Sequence, residues 1–225
     1  MAHAHHPPSA ETKRILIADD HPLYRDALLA VIPQACADAD LREACCSEEV
    51  MAQVTSDADF ELIVLDLNLP GADGLSCLRQ VREAAPLTPI IVVSGVDEPA
   101  TMAEVVMAGA AGYVPKSAPR QVLIDAIRIV MAGGTYLPAA AVIALRSRRS
   151  GIRTPAQDAV PQKLTSRQRR VLSLLAQGLS NKNIARALDL SEITVKAHVS
   201  ALLRKLGVSN RVQAAIEARK LMGEP

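Results

Sequence analysis

From Lys13 onward, short runs of apolar and largely β-branched residues alternate with longer stretches whose apolar positions recur at helical spacing. The runs fall at 14–18 (RILIA), a weaker 41–45 (LREAC), 62–66 (LIVLD), 90–94 (IIVVS) and 112–115 (GYVP). Helices are predicted over about 22–33, 47–56, 74–85, 98–108 and 119–131. Strands apolar at nearly every position are covered on both faces. Five of them separated by helices therefore predict an α/β fold, a doubly wound (βα)5 parallel sheet. Such sheets bind their ligands beyond the carboxyl ends of the strands.

The pattern changes after residue 132. Residues 133–162 are rich in Gly, Pro and Arg, with helical spacing only over 138–149, and they read as a linker with one short helix. Residues 163–225 read as all-α with four helices. Thr165-Ser-Arg-Gln168 is a capping box that opens the first helix, which buries Val171, Leu172, Leu174 and Leu175 and stops at Gly178. The others are predicted over about 181–188, 192–206, closed by Gly207, and 211–222. The second and third, joined by Asp189-Leu190-Ser191, form a helix-turn-helix. The expected organisation is a His-rich, disordered N-terminus (1–12), a first domain (13–132), a linker (133–162) and a helical domain (163–225).

Composition adds a contrast that the total hides. The chain has 225 residues and a formal charge of +1, yet residues 1–132 carry nine basic and nineteen acidic side chains, and residues 133–225 carry sixteen and five. An acidic module of −10 is thus joined to a basic one of +11, which points to an anionic partner for the second and to attraction between the two halves. With no Trp and only Phe60, Tyr24, Tyr113 and Tyr136 as aromatics, stacking platforms for single strands are missing, so a nucleic-acid partner is expected to be double-stranded. No apolar run approaches about 18 residues, and the N-terminus has no signal-peptide core, so no membrane association and a cytoplasmic location are expected. Cys36, Cys45, Cys46 and Cys77 read as reduced core or semi-buried thiols. His3, His5 and His6 form a tail better read as a disordered or appended terminus than as a metal site.

The candidate chemistry of the acidic half falls where the topology places a site. Asp19 and Asp20 follow the first strand, Asp66 ends the third, Ser94 ends the fourth, and Lys116 follows the fifth. Three converging carboxylates repel one another unless a cation joins them. Hard oxygen donors without His or Cys suit Mg²⁺, which shares its coordination with a phosphate. A carboxylate beside that ion can attack phosphorus, with Ser94 and Lys116 placed to hold phosphoryl oxygens.

Asp19-Asp20-His21-Pro22, Asp66-Leu-Asn-Leu-Pro-Gly-Ala-Asp-Gly74, Ser94-Gly95 and Tyr113-Val-Pro-Lys116 together resemble the receiver domain of bacterial two-component response regulators, over about residues 13–131. The resemblance implies that Asp66 accepts a phosphoryl group from a sensor histidine kinase. It also implies that Asp20, Asp66 and the backbone carbonyl of Asn68 bind Mg²⁺ directly and Asp19 through water, that Ser94 and Lys116 engage the phosphoryl group, and that Tyr113 turns inward as a switch. Two departures are visible: Pro115 precedes Lys116 and Ser117 follows it, and Ala27 stands where relatives often have Gly.

In the basic half, residues 164–172, 178–185 and 190–206 are similar to the LuxR-type helix-turn-helix, with Gln168 in place of the usual Glu. The two halves together resemble the NarL/FixJ class of response regulators. In the third helix Val195, Val199, Leu202, Leu203 and Leu206 form an inward stripe, leaving Thr194, Lys196, Ala197, Ser200 and Arg204 outward. The resemblance makes Lys196, Ala197 and Ser200 base-facing, with Thr194, His198, Lys182 and Asn181 as phosphate contacts or local caps. It also implies a homodimer when phosphorylated, RNA polymerase as a partner, and a resting state in which the receiver restrains the helix-turn-helix, covering of the recognition helix being one route.

No enzyme beyond self-phosphorylation and autodephosphorylation is expected. A haloacid-dehalogenase-like phosphatase would carry Asp-x-Asp after the first strand, whereas this chain has adjacent Asp19-Asp20 there. The alternative is the same architecture controlled by a ligand or partner protein without phosphorylation. Its usual sign, loss of the acidic pair or of the Lys, is not met.

Overall fold

The computed structural model describes residues 12–56, 60–149, 164–179, 181–208 and 211–222. The expected disordered terminus up to residue 11 and the linker stretch 150–163 lie outside these. Five strands form one sheet: β1 (Lys13–Ala18), β2 (Ala39–Ala44), β3 (Leu62–Asp66), β4 (Ile90–Ser94) and β5 (Gly112–Pro115). All neighbours are parallel, in the order β2-β1-β3-β4-β5. The connecting helices are α1 (Pro22–Ala35), α2 (Ser47–Thr55), α3 (Gly74–Ala84), α4 (Pro99–Met107) and α5 (Arg120–Met131).

Consecutive strand residues point to opposite faces, and here each face has its own apolar layer. Ile15, Ile17, Leu62, Val64, Ile91 and Val93 pack with α1 and α5 through Leu28, Ile32, Ile124 and Ile127. Leu16, Ile63, Leu65, Ile90 and Val92 pack with α2, α3 and α4 through Val50, Leu78, Val81, Met102 and Val105. This two-sided burial explains why the strands read as continuous apolar runs rather than alternating ones.

Two boundaries differ from the sequence expectation. β2 starts at Ala39 and ends at Ala44, because its register is set by pairing Lys13 with Ala39 and Ala18 with Ala44 along β1. Helix α1 continues through Pro33 to Ala35; the proline stands in the last turn, and the Cys36 N–H closes the helix on the Ile32 carbonyl at 2.9 Å.

The segment after α5 was expected to be linker, but its first residues belong to the sheet. Tyr136 pairs beside β5: its N–H donates to the Ala111 carbonyl at 3.1 Å, and its carbonyl accepts from the Tyr113 N–H at 3.0 Å. Helix α6 (Ala139–Arg149) follows and packs on α4, with Ala141 fully buried in the core.

The helical domain contains α7 (Ser166–Ala176), α8 (Asn181–Leu188), α9 (Glu192–Leu206) and α10 (Arg211–Met222) around Val171, Leu175, Ile184, Val195, Val199, Leu202 and Ala218. Both halves of the predicted capping box form: Thr165 accepts from the Gln168 N–H at 3.2 Å, and the Gln168 side chain accepts from the Thr165 N–H at 3.1 Å. Gly207 closes α9 at φ +64°, where a side chain would be strained.

Candidate functional site

The strand order reverses between β1 and β3, so their carboxyl ends open a crevice. Asp19 leaves β1 and Asp66 ends β3, both 1% exposed, and Asp20 beside them is half-buried. Two backbone donors hold the buried pair: the His21 N–H donates to Asp19 Oδ1 at 2.9 Å, and the Asn68 N–H donates to Asp66 Oδ1 at 3.2 Å. The loop after β3 is fixed from below by Gly74, because a Cβ there would stand 2.3 Å from the Leu67 carbonyl oxygen. The crevice widens into a cleft of about 460 Å³ lined by His21, Leu23, Tyr24, Asn68, Gly95 and Lys116.

Lys116 is the counter-charge. Its Nζ donates to Asp66 Oδ2 at 2.8 Å and stands 2.8 Å from Asp19 Oδ2, so one ammonium spans the two buried carboxylates. Burial opposes its charge, but Asp19 and Asp66 outweigh that and leave its pKa raised. The same ammonium lies 4.8 Å from the centre of the Tyr24 ring.

One lysine does not satisfy all the oxygens. Asp19 Oδ2 approaches Lys116 out of line, and Asp20 Oδ1 lies 2.7 Å from His21 Nδ1; both oxygens are buried without a hydrogen bond. Asp19, Asp20, His21 and Asp66 each bring a ligand atom within 4.8 Å of the others. An oxygen-rich donor set with orphaned acceptors fits a hard divalent cation of the kind receiver domains bind, Mg²⁺. His21 went unassigned in the sequence; its adjacency to the acidic pair was the available signal.

Ser94 and Tyr113 both bond the backbone of Val96. Ser94 Oγ accepts from the Val96 N–H at 3.2 Å, and the Tyr113 hydroxyl donates to the Val96 carbonyl. Both side chains are fully buried, and burial pushes the Tyr113 pKa up. Tyr113 is therefore turned inward, and the loop between β4 and α4 is held by both residues. The Lys116 N–H closes the same region on the Ser94 carbonyl at 2.8 Å.

In the helical domain, Val195, Val199, Leu202 and Leu203 are buried, Leu206 is partly so, and Ala197 and Arg204 are exposed, as the stripe predicts. Ser191 caps α9, accepting from the Thr194 N–H at 3.1 Å and sharing a 2.7 Å hydrogen bond with its hydroxyl, which commits Thr194 to the cap. His198 and Ser200 are half-buried on α9. Lys182 and Lys196 lie on α8 and α9, with side chains outside the described part.

The two domains meet at the end of the sheet opposite the crevice. The loop before β4 places Leu87 against the helical core, and Gln213 of α10 donates to the Met107 carbonyl at the end of α4 at 3.2 Å. A cavity of about 20 Å³ between them is lined by Arg82, Pro86, Leu87, Pro89, Gly109, Ala111, Asn181, Val199 and Arg211. The buried Arg82 fixes the loop by donating to the Thr88 and Pro86 carbonyls, and burial pulls its pKa down to about 10. The contact engages the starts of α8 and α10 and the inner face of α9, so Ala197 of the recognition helix stays exposed while Asn181 Oδ1 is buried without a partner. Arg82 and Arg211 both line this cavity, Arg82 donating to carbonyls of its own loop and Arg211 to the Leu179 carbonyl.

Residues 15–128 match the response regulator receiver domain family, and residues 162–218 match the bacterial regulatory proteins of the luxR family. The chain is 40% identical to the glycerol metabolism activator of Pseudomonas putida, covering 91% of this chain and 94% of that protein. It is 36% identical to the nitrate/nitrite response regulator protein NarL of Escherichia coli K12 (92% and 94% covered) and 35% identical to the DNA-binding transcriptional activator DevR/DosR of Mycobacterium tuberculosis (92% and 94%). Its fold is similar to that of the Salmonella typhimurium response regulator RcsB, with a TM-score of 0.55 at 22% identity over 92% of this chain and 98% of that one. No described helix is long and apolar enough to cross a membrane.

Proposed function

The chain belongs to the NarL/FixJ class of two-component response regulators, a receiver with a LuxR-type DNA-binding domain, and from that premise we propose that phosphorylation of Asp66 controls its binding to duplex DNA. The observation that carries this reading is the Asp66 carboxylate, buried at the end of β3, held by the Asn68 N–H and paired with Lys116, both of which line the cleft.

A carboxylate oxygen of Asp66 attacks phosphorus as the bond to the donor breaks; for a sensor histidine kinase that bond is P–N, and its electron pair returns to the imidazole. Asp20, Asp66 and the Asn68 carbonyl are the direct ligands in this proposal, with Asp19 acting through water. Mg²⁺ held by these residues would supply charge that neutralises the incoming phosphoryl group. Lys116 then exchanges its bond to Asp66 for one to the added group. Ser94 can follow only by releasing Val96, which frees the loop that Tyr113 also holds.

Downstream, Lys196, Ala197 and Ser200 of α9 are the proposed base contacts, with Asn181, Lys182, Thr194 and His198 at the backbone or in caps. The buried Asn181 supports a resting state in which the receiver withholds part of this surface. Release favours a homodimer on paired half-sites, with RNA polymerase as the further partner and the cytoplasm as the location. The proposed domain limits are 13–132 and 163–225.

The test uses the full chain with Mg²⁺ and a labelled small-molecule phosphodonor. The native protein is expected to take up label and Asp66→Asn none, with unchanged far-ultraviolet dichroism. Label on the folded variant overturns the assignment.

A further inference from the structure

A second cluster of potential ligands lies on the turn between β2 and α2. Cys45 follows β2, Cys46 is the N-cap of α2, and Glu49 stands in the first turn of that helix. The two sulfurs and a Glu49 carboxylate oxygen all lie within 4.8 Å of one another. Cys45 and Glu49 are exposed and Cys46 is half-buried, so the group is open to solvent, unlike the buried Cys36 and Cys77.

The local chemistry favours a cation. Glu49 Oε2 accepts from the Cys45 N–H at 2.8 Å, an arrangement that aims the carboxylate back at the turn. The same carboxylate also meets the Cys45 side chain, so sulfur and oxygen converge on one position that a metal binding thiolate and carboxylate together can take. The N-terminal end of α2 opposes a cation, but Glu48 and Glu49 in its first turn offset this. The neighbouring Arg25 guanidinium is already held by Glu43 at 2.7 Å and by the Asp19 carbonyl at 2.8 Å.

We propose that Cys45, Cys46 and Glu49 form a surface site for a thiophilic divalent cation of the zinc class, with a fourth position left to water. Tetrahedral zinc with S at about 2.3 Å and O at about 2.1 Å sets its donors roughly 3.3–3.8 Å apart. The observed donors lie within 4.8 Å of one another, about an ångström from that spacing. Binding forms two metal–sulfur bonds and one metal–oxygen bond and releases the two thiol protons to solvent, with no change of oxidation state. The site is separate from the Asp19–Asp20–Asp66 pocket in position and in ligand preference: sulfur and one carboxylate select soft or borderline metals, the oxygen pocket hard ones.

The test is a Co²⁺ titration of the full chain under reducing conditions, because cobalt bound to thiolate gives a near-ultraviolet charge-transfer band. His3, His5 and His6 cannot mimic a sulfur band. One cobalt per chain with that band, displaced by Zn²⁺, is expected. Cys45→Ser and Cys46→Ser each weaken binding on the order of tenfold or more, and the double variant loses the band. Glu49→Gln keeps the band at reduced affinity. Absence of a thiolate band, or its persistence in the double variant with native dichroism, overturns the proposal.

Discussion

Lys116 does in the resting protein what a divalent ion does in the proposed working one. It stands 2.8 Å from both Asp19 and Asp66 and so masks two buried carboxylates that would otherwise repel. It therefore competes with Mg²⁺ for the same oxygens. Replacing it, as in Lys116→Met, is expected to tighten Mg²⁺ binding by roughly three- to tenfold, a change of about 1 kcal/mol, while destabilising the metal-free fold. Titrating Mg²⁺ against the fluorescence of Tyr24, whose ring lies under the ammonium, measures the first effect; weaker binding in the variant refutes it. The sign of the pH dependence follows from the raised pKa. The contribution of Lys116 is complete below its ordinary value near 10.4 and is lost only as pH rises through the higher folded-state value. At this scale Asp19, Asp20, Asp66 and Lys116 were legible because strand ends can be read locally. Arg82, the exposure of Cys45 and the approach of His21 to Asp20 were not, since each depends on what packs beside it.

The elements themselves were largely legible, for the reason that their patterns repeat. The apolar residues of the central strands each meet one of two apolar layers, and α9 keeps its inward stripe on a helical period. The Tyr136 pairing beside β5 left no trace in the pattern because a one-residue bridge has no period. The outward face of α9 carries its own prediction. If Lys196 approaches a base edge or phosphate there, Lys196→Ala should weaken duplex binding by about 1–3 kcal/mol and lower the salt slope by about one charge. Affinity measured across a salt series checks this, and an unchanged slope with unchanged affinity excludes the assignment of α9.

For the whole molecule, the charge split of −10 and +11 led to the expectation of halves that attract. The described contact is apolar at Leu87, which packs against the helical core, and both Arg82 and Arg211 line the cavity beside it. A docked apolar side chain contributes about 1–2 kcal/mol. Leu87→Asp should therefore release the helical domain and raise the affinity of unphosphorylated protein for its DNA by roughly five- to tenfold. Binding assays beside hydrodynamic radius test this; a larger radius without tighter binding would show that the contact does not restrain DNA binding.

The acceptor crevice and the interdomain contact lie at opposite ends of the same sheet. The length of β4, five residues at about 3.3 Å each, separates them by roughly 15 Å, beyond a physiological screening length of about 8 Å. The charge of a phosphoryl group is thus too far away to push the domains apart directly, and the two ends communicate only if α4 and its neighbouring loop have two packed arrangements. Such a coupling is reciprocal at equilibrium. On the proposed reading, an operator that captures the released helical domain must favour the phosphorylated receiver by the same factor that phosphorylation favours DNA binding. The genome's own sites then act as effectors of the signalling equilibrium, and the number of occupied operators enters the balance between phosphorylated and resting protein.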